Sequence, residues 1–265
     1  MKKSIFIVCT VLVVLSVTAF SYLNWESKEN VSSHSAASAG TAVDVAKEQS
    51  LNSELIYDVG PRFVNSVNMT TLNTATSITD ILPKEATESV ASYQKVEVSI
   101  LYPDGEVKMT EFGIGAVLTS AQLELLQSAT ISMNVHIKAN IKKKDLMTWV
   151  VEDDYLSYYM TIIPEEPARY MGGQDALIEY LKASSEAAIT TIGEDNVQSG
   201  RIGFIVSPNG TIEQVRVMAT SGDDQLDQVV MESIRALSGK WYPALNSEHE
   251  KIEQELIFFF GAPGC

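Results

Sequence analysis

Cysteine and positive charge are both scarce in this chain. Its two cysteines are Cys9, inside an apolar run, and Cys265, the last residue. A membrane or a cleavage site would part them, which argues against a bridge, and a fold so poor in sulfur relies on its hydrophobic core. Lys and Arg number 19 against 34 Asp and Glu, a formal net charge of −15. Neutralising phosphates needs a clustered basic surface, so no nucleic-acid partner is expected. The single basic run, Lys138, Lys142, Lys143 and Lys144, reads as a solvated strand end or turn. Histidine is also rare. His34, His136 and His249 are far apart and show no metal-ligand spacing, and His136 falls on the polar side of its strand, where solvent exposure is expected. There is no nucleophile elbow and no phosphate loop. Gly113-Ile114-Gly115 is followed by Leu118 where a dinucleotide loop needs a third glycine. The acid pairs Asp153-Asp154 and Glu165-Glu166 fall in expected turns, where solvation explains them. Hence neither an enzyme nor a cofactor or metal site is expected.

With 45% hydrophobic and 20% charged residues, the chain has the composition of globular protein. Ser4 to Tyr22 is a nearly unbroken apolar run behind Lys2 and Lys3. About 18 or more such residues can span a bilayer, and the flanking charge favours a cytoplasmic start. Residues 1–25 are therefore expected to be a single-pass inner-membrane anchor in contact with lipid. The alternative is a cleaved signal at Val17-Thr18-Ala19 with release to the periplasm. Residues 26–50, rich in Ser and Ala and free of Pro, read as a flexible linker.

Residues 51–164 read as a middle domain, mostly an antiparallel sheet with one or two helices. Thr119 and Gln122 form a capping-box pattern ahead of Leu123, Leu125 and Leu126. Ile131, Met133, Val135, Ile137, Ala139 and Ile141 alternate as in a half-buried strand, as do Val96, Val98 and Ile100 before the turn Pro103-Asp104-Gly105. Thr148–Val151 and Tyr155–Ile163 bracket an expected turn at Glu152-Asp153-Asp154, with Trp149, Tyr158 and Tyr159 as core or cross-strand aromatics.

Residues 165–265 predict a two-layer α+β domain ordered αββαβ. Ala176, Leu177, Tyr180 and Leu181 give the first helix its apolar face, and Leu226, Val230, Ile234 and Leu237 give the second. Ile202, Phe204 and Val206 lead into a turn at Pro208-Asn209-Gly210, and the return strand carries Ile212 on one face and Val215, Val217 and Ala219 on the other. The last strand places Ile252, Leu256, Phe258 and Phe260 on one side. Trp241 beside Pro243 reads as a packed lid over this core.

Five motifs follow in order: Tyr170-x-Gly172-Gly173-x-x-Ala176-Leu177-x-x-Tyr180-Leu181, Gly200-x-Ile202-x-Phe204-x-Val206, Asn209-Gly210-Thr211-Ile212-x-x-Val215-x-Val217, Leu226-Asp227, and Lys240-Trp241-Tyr242-Pro243-Ala244. With them, the chain from about 167 to 261 resembles the C-terminal domain of TonB-type energy transducers, in the form common in Bacteroidetes. The resemblance implies an envelope protein that binds the N-terminal segment of a TonB-dependent outer-membrane receptor by β-strand addition. It further implies energy from an inner-membrane motor of the ExbB/ExbD type, for nutrient uptake. The binding edge it implies is Lys251, Ile252, Glu253, Gln254, Glu255, Leu256, Ile257, Phe258, Phe259 and Phe260. Unpaired backbone groups would supply affinity there and alternate side chains selectivity; the alternative is that this strand merely completes the sheet. A Pro-rich rod, usual in the family, is missing, and the anchor holds only Thr10, Ser16 and Thr18 as polar contacts for a motor. Both departures favour a second reading, a non-transducing binding or sensor module that reuses the domain for protein contact.

Overall fold

The computed structural model describes residues 55–145 and 147–263, all within one compact unit, Asn52–Cys265. The expected anchor and linker, residues 1–50, lie outside the described residues. Among those described, no helix is long and apolar enough to cross a membrane.

In chain order the elements are β1 (Ile56–Gly60), β2 (Ser66–Asn68), α1 (Met69–Thr74), α2 (Ile78–Ile81), α3 (Lys84–Thr87), β3 (Val90–Leu101), β4 (Val107–Ile114), α4 (Ser120–Gln127), β5 (Asn134–Lys144) and β6 (Val151–Ile163). There follow β7 (Arg169–Tyr170), α5 (Gln174–Ile192), β8 (Gly200–Val206), β9 (Ile212–Ala219), α6 (Asp224–Arg235), β10 (Trp241–Tyr242), β11 (Ala244–Leu245), β12 (Lys251–Ile252) and β13 (Gln254–Gly261). The α+β class holds. A five-stranded sheet runs β2-β6-β5-β3-β4 and a four-stranded sheet runs β1-β13-β8-β9, with ribbons β7–β10 and β11–β12 beside them. All pairings are antiparallel except β2 with β6.

The alternation in β3 and β5 sends Val96, Val98, Ile100, Val135, Ile137 and Ala139 to one face, where Leu72, Ile78 and Leu126 from α1, α2 and α4 close a core. The capping box forms: Gln122 N donates to Thr119 Oγ1 at 3.2 Å and Thr119 N donates to Gln122 Oε1 at 3.0 Å. Two backbone donors that helix geometry leaves unpaired are thus satisfied.

The expected turn at Glu152-Asp153-Asp154 is instead part of β6, opposite Lys143, Lys142 and Ile141. The chain reverses earlier, around Asp145, whose Oδ1 accepts from Met147 N and Thr148 N, both at 2.8 Å. The lysine run supplies the reason. Lys142 pairs with Asp153 at 2.9 Å, Lys143 with Asp154 at 3.4 Å and Lys138 with Glu97 at 3.0 Å. Opposite charges facing across strands offset the poor strand propensity of Asp and Lys. Lys144 Nζ sits 3.7 Å from the Trp149 ring centroid. Trp149 lies in the turn with φ 63°, not on a strand, and is largely exposed.

His136 is also corrected. It is buried, its ring stacks on Tyr159 at 3.6 Å between centroids, and Nε2 lies 2.9 Å from Ser157 Oγ. Tyr159 covers it on the polar face of the sheet, and Phe63, following β1, stacks on Tyr159 in turn at 5.0 Å.

In the second half, α5 and α6 pack on one face of the four-stranded sheet around Phe204, Phe258 and Phe260. The stripe of α6 is buried as expected, and its N-cap Asp223 accepts from Leu226 N at 2.8 Å. In α5 the buried face is Leu177, Leu181, Ser185 and Ile189, whereas Ala176 and Tyr180 are exposed. The helix is rotated relative to the expected face so that this longer stripe, running its full length, meets the sheet. A bulge at Gln214, φ 50°, shifts the register of β9, so Ile212 and Val215 both pack on the core instead of facing opposite ways.

Burial pushes the His136 imidazole down to about 4, with the Lys138 charge acting in the same direction. The unfolded chain therefore takes up a proton near pH 6.5 that the folded chain refuses until about pH 4. Stability from this residue is complete above pH 6.5 and lost as pH falls to 4, by on the order of 1–3 kcal/mol. Urea unfolding at pH 7.5 and 4.5 is expected to show that His136→Asn loses less stability on acidification than the parent chain.

Candidate functional site

The expected binding edge, Lys251 to Phe260, is not one strand. Lys251 and Ile252 form β12 and pair back on β11, directed by a turn in which Asn246 Oδ1 accepts from Glu248 N and Glu250 N, both at 2.9 Å. Glu253 is an exposed break, and β13 begins at Gln254. The Gln254 side chain is 2% exposed and its Oε1 accepts from Ala168 N at 2.7 Å, tying β13 to the joint that leaves the first half.

Nor is β13 open. On one side it pairs with β8 from Gln254↔Val206 to Phe260↔Gly200. On the other it pairs with β1 from Ile56↔Gly261 to Gly60↔Ile257. Expectation and structure part here for a physical reason: the unpaired backbone row that an outside segment would use is filled by five residues of the same chain. Along β13, Leu256, Phe258 and Phe260 enter the core as expected. Ile257 is buried on the opposite face, Phe259 is half-buried, and Glu255 is paired with Arg216. Burial pushes the Glu255 carboxyl up, against the pull of Arg216 and Arg62.

The motif residues are brought together as scaffold. Tyr170 in β7 pairs with Trp241 in β10, their rings 5.7 Å apart, and Trp241 packs on Phe204 at 5.6 Å, 2% exposed. The lid reading of Trp241 therefore holds, with Pro243 joining β10 to β11. Gly172 is held close, since a Cβ there would meet the Tyr170 ring at 2.7 Å, and Gly173, φ 85°, caps α5. Asn209 is exposed in the hairpin turn, while Gly210, φ 77°, lies against the Trp241 carbonyl with no room for a side chain.

β1 is the element that sequence reasoning missed. Its only local signal is Leu55-Ile56-Tyr57-Asp58-Val59 closed by Gly60-Pro61, a short strand-like run ended by a breaker. Its own outer edge is largely blunted. Val59 N donates to Asp58 Oδ1 at 2.8 Å, and Val59 O accepts from Gln174 Nε2 at 2.9 Å. Both outward backbone groups of Val59 are therefore used, and since these alternate along a strand, Asp58 is the residue that bonds to β13. The other edge of the sheet is β9, which among the described residues has no partner strand on its outer side.

Among the described residues, no group of His, Cys, Asp and Glu converges to hold a metal ion. Residues 199–260 match the family of the Gram-negative bacterial TonB protein C-terminal, a non-enzymatic protein-interaction domain. The match begins at β8 and ends within β13, so β1 is outside it. No curated protein and no solved structure matches the chain.

The two faces of β13 make a register test. Phe258→Ala is expected to cost about 3–5 kcal/mol and Phe259→Ala under about 1.5 kcal/mol in urea unfolding. A strand slipped by one residue would reverse that order.

Proposed function

We propose that the chain is a TonB-like envelope protein that captures an extended segment of a partner by β-strand exchange, with β1 holding the accepting edge of β13 in the meantime. The observation that carries this reading is the pairing of β1, which is outside the family match, with the strand that the family resemblance makes the receptor's partner. The occupant suits displacement. Only Val59 of its five residues is fully buried; Ile56 and Asp58 are exposed, and Tyr57 reaches the core at its edge, 6.3 Å from the Phe258 ring. Burying Val59 and part of Tyr57 contributes roughly 2–4 kcal/mol before ordering costs. Retention by about 3 kcal/mol lowers a competing segment's apparent affinity roughly a hundredfold, a barrier that a well-matched segment overcomes.

The partner that fits is the N-terminal segment of an outer-membrane receptor. The apolar run at Ser4–Tyr22 supports a place at the inner membrane or in the periplasm, with the described residues on the periplasmic side. Coupling to an ExbB/ExbD-type motor is the fuller form of this proposal. The occupied edge favours the second reading, a binding or sensor module without force transmission, in which exchange of β1 is itself the signal.

Asp58 and Phe259 face one another as a hydrogen-bonded pair, where Cα atoms stand about 5.5 Å apart, a separation that a disulfide spans. In a background with Cys9 and Cys265 changed to Ser, Asp58→Cys with Phe259→Cys locks β1 when oxidised. A pull-down with receptor N-terminal peptides is expected to recover the reduced form at least about tenfold better than the oxidised form. Equal capture by both forms rejects strand exchange and leaves β9 as the docking edge.

A further inference from the structure

Arginine is rare in this chain, with five residues in 265, and three of them, Arg62, Arg201 and Arg216, line one cavity of about 250 Å³. The cavity lies where the first half meets the outer face of the four-stranded sheet. Arg62 comes from the segment after β1, Arg201 from β8 and Arg216 from β9, and Asp104 comes from the turn after β3. The wall is completed by Val217, Met218 and Ile257.

The charges do not balance within the site. Arg216 is paired with Glu255. Arg62 donates to the Pro103 carbonyl, and neither it nor Arg201 has a carboxylate within ion-pair distance among the described residues. Arg201 Nε is buried with no hydrogen-bond partner among them. Three guanidinium groups against the carboxylates of Asp104 and Glu255 leave one positive charge in a chain of net −15. An unmatched, partly buried donor set is costly. Burial, and then the like charge of Arg201, lower the proton affinity of Arg62, which is the penalty an anion would relieve.

We propose that Arg62, Arg201 and Arg216 form a binding site for a compact oxyanion, a carboxylate or phosphate group held by the guanidinium forks, with room for a short alkyl chain against Met218 and Ile257. Planar guanidinium groups match both oxyanions with paired N–H donors. The cavity admits one such group, and the net negative charge of the chain repels an extended polyanion. An ion bridging Arg62 to Arg201 also ties the segment behind Pro61 to β8. On the strand-exchange reading, and resting on it, the ion would therefore hold β1 in place. Binding of the ion itself does not depend on that reading.

The test is calorimetric titration of the chain with inorganic phosphate, acetate and butyrate at constant ionic strength set by chloride. Phosphate and butyrate are expected to bind, butyrate more tightly than acetate because of the apolar wall. Arg201→Gln is expected to weaken binding at least about tenfold, and Asp104→Asn to tighten it by removing the competing carboxylate. No binding by the parent chain, or equal affinity in Arg201→Gln, overturns the site and leaves a seam of charges only. If Arg201→Gln does not fold, Asp104→Asn decides, and an affinity no higher than the parent's overturns the proposal. Phosphate binding with no preference for butyrate over acetate overturns the alkyl subsite alone. Adding phosphate to the peptide pull-down then tests the effect on β1 separately.

Discussion

One backbone ladder organises this protein: Ile56–Gly60 laid against Ile257–Gly261. It joins the beginning of the described chain to its end and makes the final strand an interior one. β13 is largely buried on both faces: Phe258 and Phe260 meet the helices, while Ile257 and the Arg216-paired Glu255 lie on the other side. The continuous run Leu256–Phe260, which would be an aggregation hazard on an open edge, is thereby enclosed.

The same ladder makes the two halves depend on one another. β1 contributes Val59 to the second core, yet the chain that follows it carries Arg62 to the charged cavity and Phe63 to the stack on Tyr159. The same Tyr159 ring stacks on His136, so the segment that follows β1 backs the ring that covers the buried imidazole. A further tie crosses the seam: Glu255 N donates to Ser132 Oγ at 3.0 Å. Displacing β1 would accordingly disturb groups on both sides of the seam.

Much of the local structure was legible in the residues. The capping box at Thr119 and Gln122, the alternation in β3 and β5, the Asn209-Gly210 turn and the buried stripe of α6 each rest on neighbours within a few positions, and all are present. Errors arose where distant partners decide. Glu152–Asp154 looked like a turn until the lysines of β5 stood opposite, and His136 looked solvated until Tyr159 stacked on its ring. Ala176 and Tyr180 fit a helical stripe equally well, and only the sheet beneath α5 selects Leu177, Leu181 and Ile189.

Periodicity, capping and turn chemistry, all encoded over short spans, determined by themselves the helix-strand-strand-helix-strand order between Gln174 and Gly261 and that Phe258 and Phe260 would face a core. The family match to 199–260 is written in the same local pattern. Which strand lies on each flank of β13 belongs to tertiary structure alone. Backbone hydrogen bonds carry no side-chain identity, so any short apolar strand of suitable length fits the vacant row. Residues 56–60 fill it because the folded chain brings them there.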